Sequence, residues 1–171
     1  MKKSIAILAA LVAALCTAQN SFAIQGPDEP GTKLITIEGG GLPGYGGLLS
    51  GSICMANLGA AHLYGGLQLG VNYRHGAALD TKKLEGSLAP RVMLGWNLGR
   101  VVEFHVGGLA GIDAQRFDAQ KFNLAFCYGG FGGFRFNFTD SFGLVLEGYY
   151  SNALPYANAL PYAMGGFAFR F

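Results

Sequence analysis

Charge is scarce in this chain: Asp, Glu, Lys and Arg together make up 13 % of its 171 residues. That is about half the usual share of a soluble domain, and too thin to clothe a water-facing surface. Long apolar runs are also missing. After residue 23 no stretch approaches the roughly 18 apolar residues that a spanning helix needs. Cysteine is limited to Cys16, Cys54 and Cys127. Cys54 and Cys127 fall on well-separated segments, and we expect free thiols rather than a bridge. There is no basic stripe, so nucleic acid is not an expected partner. No His, Cys and acid cluster has metal-ligand spacing, and the glycines follow no phosphate-loop pattern. No catalytic residue, metal or cofactor is therefore assigned.

What is present begins with a secretory leader. Lys2 and Lys3 precede an apolar run over 5–15, and Ser21 and Ala23 supply small residues before a cut. We expect a cleavable signal peptide over 1–23, a periplasmic N-terminal linker over 24–32 and one folded domain over 33–171. The run is too short for a comfortable membrane anchor. A lipoprotein cut before Cys16 would need a small residue where Leu15 stands. An exported, apolar chain without a spanning helix is left with the other membrane solution. That is a closed barrel, whose backbone groups all pair between strands.

The period of the sequence agrees. From Lys121 to Phe138 the even positions include Phe122, Leu124, Phe126, Phe134, Phe136 and Phe138, while the odd ones carry Lys121, Asn123, Arg135 and Asn137. Such alternation is the mark of a strand with two unlike faces. Val102, Phe104, Val106 and Ile112 oppose Glu103, His105 and Asp113 in the same way. Leu63, Leu67, Leu69, Val71 and Tyr73 oppose His62, Tyr64, Gln68, Asn72 and Arg74. The pattern predicts eight strands, near 33–41, 47–56, 61–75, 86–98, 101–115, 121–138, 142–151 and 160–171. The fold class expected is all-β, an eight-stranded antiparallel closed transmembrane barrel. A lipocalin-like barrel or a β-sandwich shares the period, but its solvent face would need more charge than this polar face holds.

Short turns near 58–60, 98–100 and 139–141 alternate with longer connections near 42–46, 76–85, 116–120 and 152–159. This is the asymmetry of barrels with short periplasmic turns and longer outer loops. Asn57, Asn97 and Asn137 fall at a fixed spacing, which is either a record of duplicated hairpins or simply the length of one hairpin. Trp96, Phe104, Phe134, Phe136, Phe138, Phe169 and Phe171 map to the turn end; Tyr73, Phe122 and Tyr150 map to the loop end. Two such groups are expected of interfacial girdles. One loop repeats itself, with 153–157 echoed by 159–163.

The C-terminal run Gly165-Gly166-Phe167-Ala168-Phe169-Arg170-Phe171 resembles the terminal signal of bacterial outer-membrane proteins. With the leader and the alternation, residues 33–171 resemble the small eight-stranded barrels of the OmpA transmembrane domain and OmpX type. The resemblance implies insertion into outer-membrane lipid, and recognition of Phe167, Phe169 and Phe171 as an assembly signal by the barrel-assembly machinery. Relatives of this kind include anchors, adhesion proteins, small pores and lipid-modifying enzymes, so fold does not set function.

The polar face carries Glu38, Arg74, Arg91, Glu103, His105, Arg135, Glu147 and Arg170. An eight-stranded barrel is just wide enough inside for side chains, so these read as an interior charge network. A polar pathway through the barrel is the alternative. The third reading is an outer-leaflet lipid enzyme, for which His75 near the outer rim, with Asp80 and Ser87, would be the candidate group; their spacing is generic. We expect a non-enzymatic barrel with a structural or surface-interaction role and a surface ligand of undefined identity.

Overall fold

The alternation of the sequence becomes eight antiparallel strands: β1 Lys33–Gly40, β2 Tyr45–Asn57, β3 Ala61–His75, β4 Lys82–Asn97, β5 Val102–Phe117, β6 Asn123–Asn137, β7 Phe142–Leu154 and β8 Leu160–Arg170. The structure, a computed structural model, describes residues 28–40, 45–75, 82–99, 101–117, 121–154 and 160–171, and only the backbone at 74, 75, 82, 117 and 160. The expected leader over 1–23, Asp80 and the 155–159 part of the loop repeat lie outside the described residues. No helix among the described residues is long and apolar enough to cross a membrane.

The sheet closes on itself, each strand pairing with the next and β8 with β1. Closure removes the edges that would otherwise leave backbone groups unpaired in lipid. The stagger can be followed along one inward row: Glu103, Arg135, Val145, Gly166, Glu38, Leu48, Gly70, Ser87 and back to β5 at Asp113. The path returns ten residues beyond its start. This shear gives strands tilted by roughly 35–45° and an interior filled by side chains.

The apolar face points outward on every strand. Ile37, Leu49, Leu67, Val92, Ile112, Phe126, Leu146 and Phe167 are all exposed there. Among the described residues, outward-facing charged side chains stand only at strand ends, Lys33 at the turn end and Arg116 at the loop end. Phe104 lies against Trp96 and Phe134, and Phe142 against Phe138, Phe167 and Phe169, with ring centroids 5.4–6.1 Å apart. This makes an aromatic band at the turn end of β4–β8. Tyr45, Tyr73, Phe122 and Tyr150 are exposed toward the loop end. An apolar belt between two aromatic girdles is the surface a bilayer requires.

Strand ends shift by up to four residues from the sequence reading, as at β7, which runs to Leu154, and the differences at β4 and the turns bear on the interior. β4 begins at Lys82, not near 86, so the charged run Lys82 to Glu85 is paired strand opposite His75 to Asn72. Lys83 and Glu85 both point inward and pair with each other at 3.5 Å. The first turn has two residues, since Leu58 N donates to Ala61 O at 2.8 Å, and a bulge at Met55 restores the parity that a three-residue loop would give. The second turn brings Leu98 opposite Val102, one residue later than expected, with Leu98 N donating to Val102 O at 2.7 Å. Gly59 and Gly99 take φ of 84° and 101°, conformations that only glycine adopts freely. The third turn has the predicted bounds and uses Thr139 Oγ1 to accept from Ser141 N. The three turns at the common spacing thus differ in their chemistry.

Candidate functional site

The core of this protein is the barrel lumen, and its chemistry is ionic. The structure divides the predicted interior charges into two layers. Nearest the turns, Arg135 on β6 pairs with Glu103 on β5, directly opposite in register. Both are sealed, with 1 % and 0 % exposure. Arg170 on β8 approaches Glu103 at 3.9 Å and Asp28 at 3.1 Å. The Tyr64 hydroxyl donates to Asp28, and the Arg135 guanidinium sits 5.7 Å from the Tyr64 ring. His62, in the same half, is 3.3 Å from the Asn97 amide.

At mid-height a second layer crosses the lumen. Arg91 on β4 donates to both carboxylate oxygens of Glu147 on β7, at 3.1 and 3.3 Å. It also reaches Gln68 at 3.3 Å and lies 4.0 Å above the Phe131 ring. His105 Nε2 is 2.9 Å from Glu147. Tyr149 donates to Glu147 and, at 3.5 Å, to Glu38, which also accepts from Thr36 at 2.9 Å. Phe131, Tyr149 and Tyr162 stack in sequence beside this cluster. Gly107 makes room for it: a Cβ there would stand 2.3 Å from the Phe131 ring and 2.4 Å from the Val92 carbonyl. Buried charges at such cost persist only with partners: Arg91, Glu147, Glu103 and Arg135 are ion-paired and hydrogen-bonded, His105 and Arg170 stand at ion-pair distance from Glu147 and Asp28, and Glu38 accepts from Thr36 and Tyr149.

Of the predicted charges, Arg74 is described by its backbone alone. Its backbone pairs with Lys83 at the loop end, with inward parity, and its side chain is outside the description. Toward that end the lumen holds a polar cavity of about 30 Å³ lined by Gln68, Asn72, Ser87, Asp113, Ser151 and Asn152, roomy enough for water. Asp113 accepts from Gln115 at 2.5 Å. Cys54 and Cys127 are free and buried. Phe167 and Phe171 face outward, at 50 % and 72 % exposure. The Phe171 backbone closes the seam by exchanging 2.9 Å bonds with Lys33.

The sequence reading missed Asp28, which was assigned to a linker and is buried inside the barrel end. It also gave no role to Tyr64 and Tyr149. Both sit on the polar face of their strands, and that parity was the available signal.

Fold and lumen together define a small eight-stranded transmembrane β-barrel of the outer-membrane type. Its backbone is similar to Ail, the attachment invasion locus protein of Yersinia pestis, with a TM-score of 0.59, 15 % identity and coverage of 84 % of this chain and 100 % of that one. It is similar to Neisserial surface protein A, with a TM-score of 0.56, 11 % identity and coverage of 82 % and 94 %. A designed transmembrane β-barrel is similar at TM-score 0.51 and 11 % identity, covering 85 % and 100 %. No family model and no curated protein sequence matches the chain.

Proposed function

We propose that this is a non-enzymatic outer-membrane barrel, structural in its body, with any surface interaction left to its loop end. The observation that carries this reading is the filled lumen. Arg91, Glu147, Phe131 and Tyr149 occupy the cross-section at mid-height, and the Glu103–Arg135 layer occupies it again below. Two of the similar folds are named for surface or attachment roles, which is compatible with loops that face outward. Reconstituted into planar bilayers, the purified protein is expected to leave the baseline conductance unchanged. Sustained single-channel steps would instead establish the pore. The enzyme alternative is tested by mass spectrometry of lipid A from cells with and without the protein. An unchanged acyl pattern is expected, and loss or gain of one chain would overturn the non-enzymatic reading.

Export and assembly complete the proposal, with 1–23 as export signal and Phe167, Phe169 and Phe171 as the segment read by the assembly machinery. Phe171→Ala isolates the side chain, because the backbone bonds to Lys33 remain. The variant is expected to accumulate several-fold less folded, heat-modifiable barrel in the outer-membrane fraction while folding normally into vesicles in vitro. Wild-type accumulation in cells would remove the assembly role.

A further inference from the structure

Asp28 lies five residues before β1, yet it is only 5 % exposed. Groups from three strands converge on it. Arg170 Nε of β8 is 3.1 Å from Oδ1, the Tyr64 hydroxyl of β3 donates to Oδ2, and Cys54 Sγ of β2 is 3.6 Å from its carbonyl oxygen. The segment is stitched in place: Gly31 N donates to Cys54 O and Cys54 N to Thr32 O, both at 2.8 Å. We infer that the turn end of the barrel is a carboxylate-binding site whose resident ligand is the chain's own Asp28, and that its occupancy seals the lumen over Cys54.

Charge supports this. Without Asp28 the layer buries two guanidiniums, Arg135 and Arg170, against a single carboxylate, Glu103. Among the described lumen side chains of that half, His62 is the other basic group, and it faces Asn97. An uncompensated buried cation is strongly unfavourable, and a second carboxylate removes it. Chemistry supports it as well. A guanidinium at ion-pair distance from one oxygen and a phenol O–H donating to the other compensate a carboxylate when water is excluded. Topology adds a condition: β8 and β3 flank β1 and β2 in the closed sheet. Arg170 and Tyr64 come together only when β8 has joined β1, so the site exists only in the closed barrel. Asp28 therefore binds the product of closure and holds the seam, which the Lys33–Phe171 backbone pair also bridges.

Cys54 reports on this directly, being 1 % exposed beneath the segment. Cys127, buried toward the opposite end, serves as the internal reference. In the full protein purified from membranes, maleimide labelling is followed at each cysteine by peptide mass spectrometry. Asp28→Gly is expected to raise the Cys54 rate about tenfold with Cys127 unchanged, as expected of a local opening. Sodium acetate should restore protection, and sodium chloride at equal ionic strength should not. Glu29→Gln, at an exposed neighbour, should behave as wild type. A wild-type Cys54 rate in folded Asp28→Gly overturns the seal. Equal effects of acetate and chloride overturn the carboxylate site and leave a steric plug. Should Asp28→Gly give no heat-modifiable band, Asp28→Asn keeps the volume without the charge: faster Cys54 labelling upholds the inference, and an unchanged rate overturns it.

Discussion

Replacing Arg135 by methionine should destabilise the folded barrel by about 3–5 kcal/mol, the usual consequence of leaving one charge of a buried pair alone. Glu103 is fully sealed, and the wall beside it has no slack: a Cβ on Gly95 would stand 2.8 Å from its carboxylate. Arg170 does not take over, because it sits 3.9 Å away and is already held by Asp28 at 3.1 Å. Glu103→Gln combined with Arg135→Met removes both charges and should cost far less, since an apolar or neutral replacement of a buried pair is often near neutral. A double-mutant cycle in urea, scored by heat-modifiable gel mobility, measures the coupling. We expect at least about 2 kcal/mol, in the range of residues sharing one buried network. Coupling near zero would mean that each charge is hydrated by itself in an open lumen, and the pore would then be the better reading.

This pair was legible in the sequence, and most of its neighbours were not. The reason lies in which registers each contact needs. Glu103 and Arg135 share an inner face on strands expected to be consecutive, 101–115 and 121–138, so a single hairpin register sets their opposition. Arg91 and Glu147 stand on β4 and β7 and meet across the lumen. Their contact depends on every intervening register and on the stagger of the whole sheet, which no local pattern encodes. Face parity was readable on all strands because lipid demands an apolar exterior without exception. Inward aromatics were less readable: Phe131 and Tyr149 stand at polar-face positions, and apolar bulk there looks like an interruption of the alternation. β4 was read short because Lys82, Lys83 and Glu85 resemble a solvated loop. They are strand because Lys83 and Glu85, two apart, share the inner face and neutralise each other. Asp28 was invisible because the segment before β1 has no periodicity; only the closed barrel supplies its partners.

The depth of each outward residue gives the other large effect. Leu67 lies at the middle of β3 and is 56 % exposed on the outer face. Leu67→Arg puts a charge near the bilayer midplane, at a cost of about 2–4 kcal/mol that falls toward about 0–1 near the interface. Phe126 also faces outward but stands three residues from the loop end of β6. Its arginine can reach the headgroups by extending along the surface, so Phe126→Arg should cost less. Val145 provides the contrast, being inward and 1 % exposed. Val145→Arg is limited by lumen volume and by a new unpaired cation, neither of which depends on the lipid. Folding titrations into vesicles of increasing acyl-chain length separate the three. The Leu67→Arg penalty should grow with thickness, the Phe126→Arg penalty should grow less, and the Val145→Arg penalty should stay constant. Equal growth for Leu67→Arg and Val145→Arg would mean that the inner and outer faces are wrongly assigned. A flat response for Leu67→Arg alone would mean that β3 sits higher or lower in the membrane than its aromatic girdles imply.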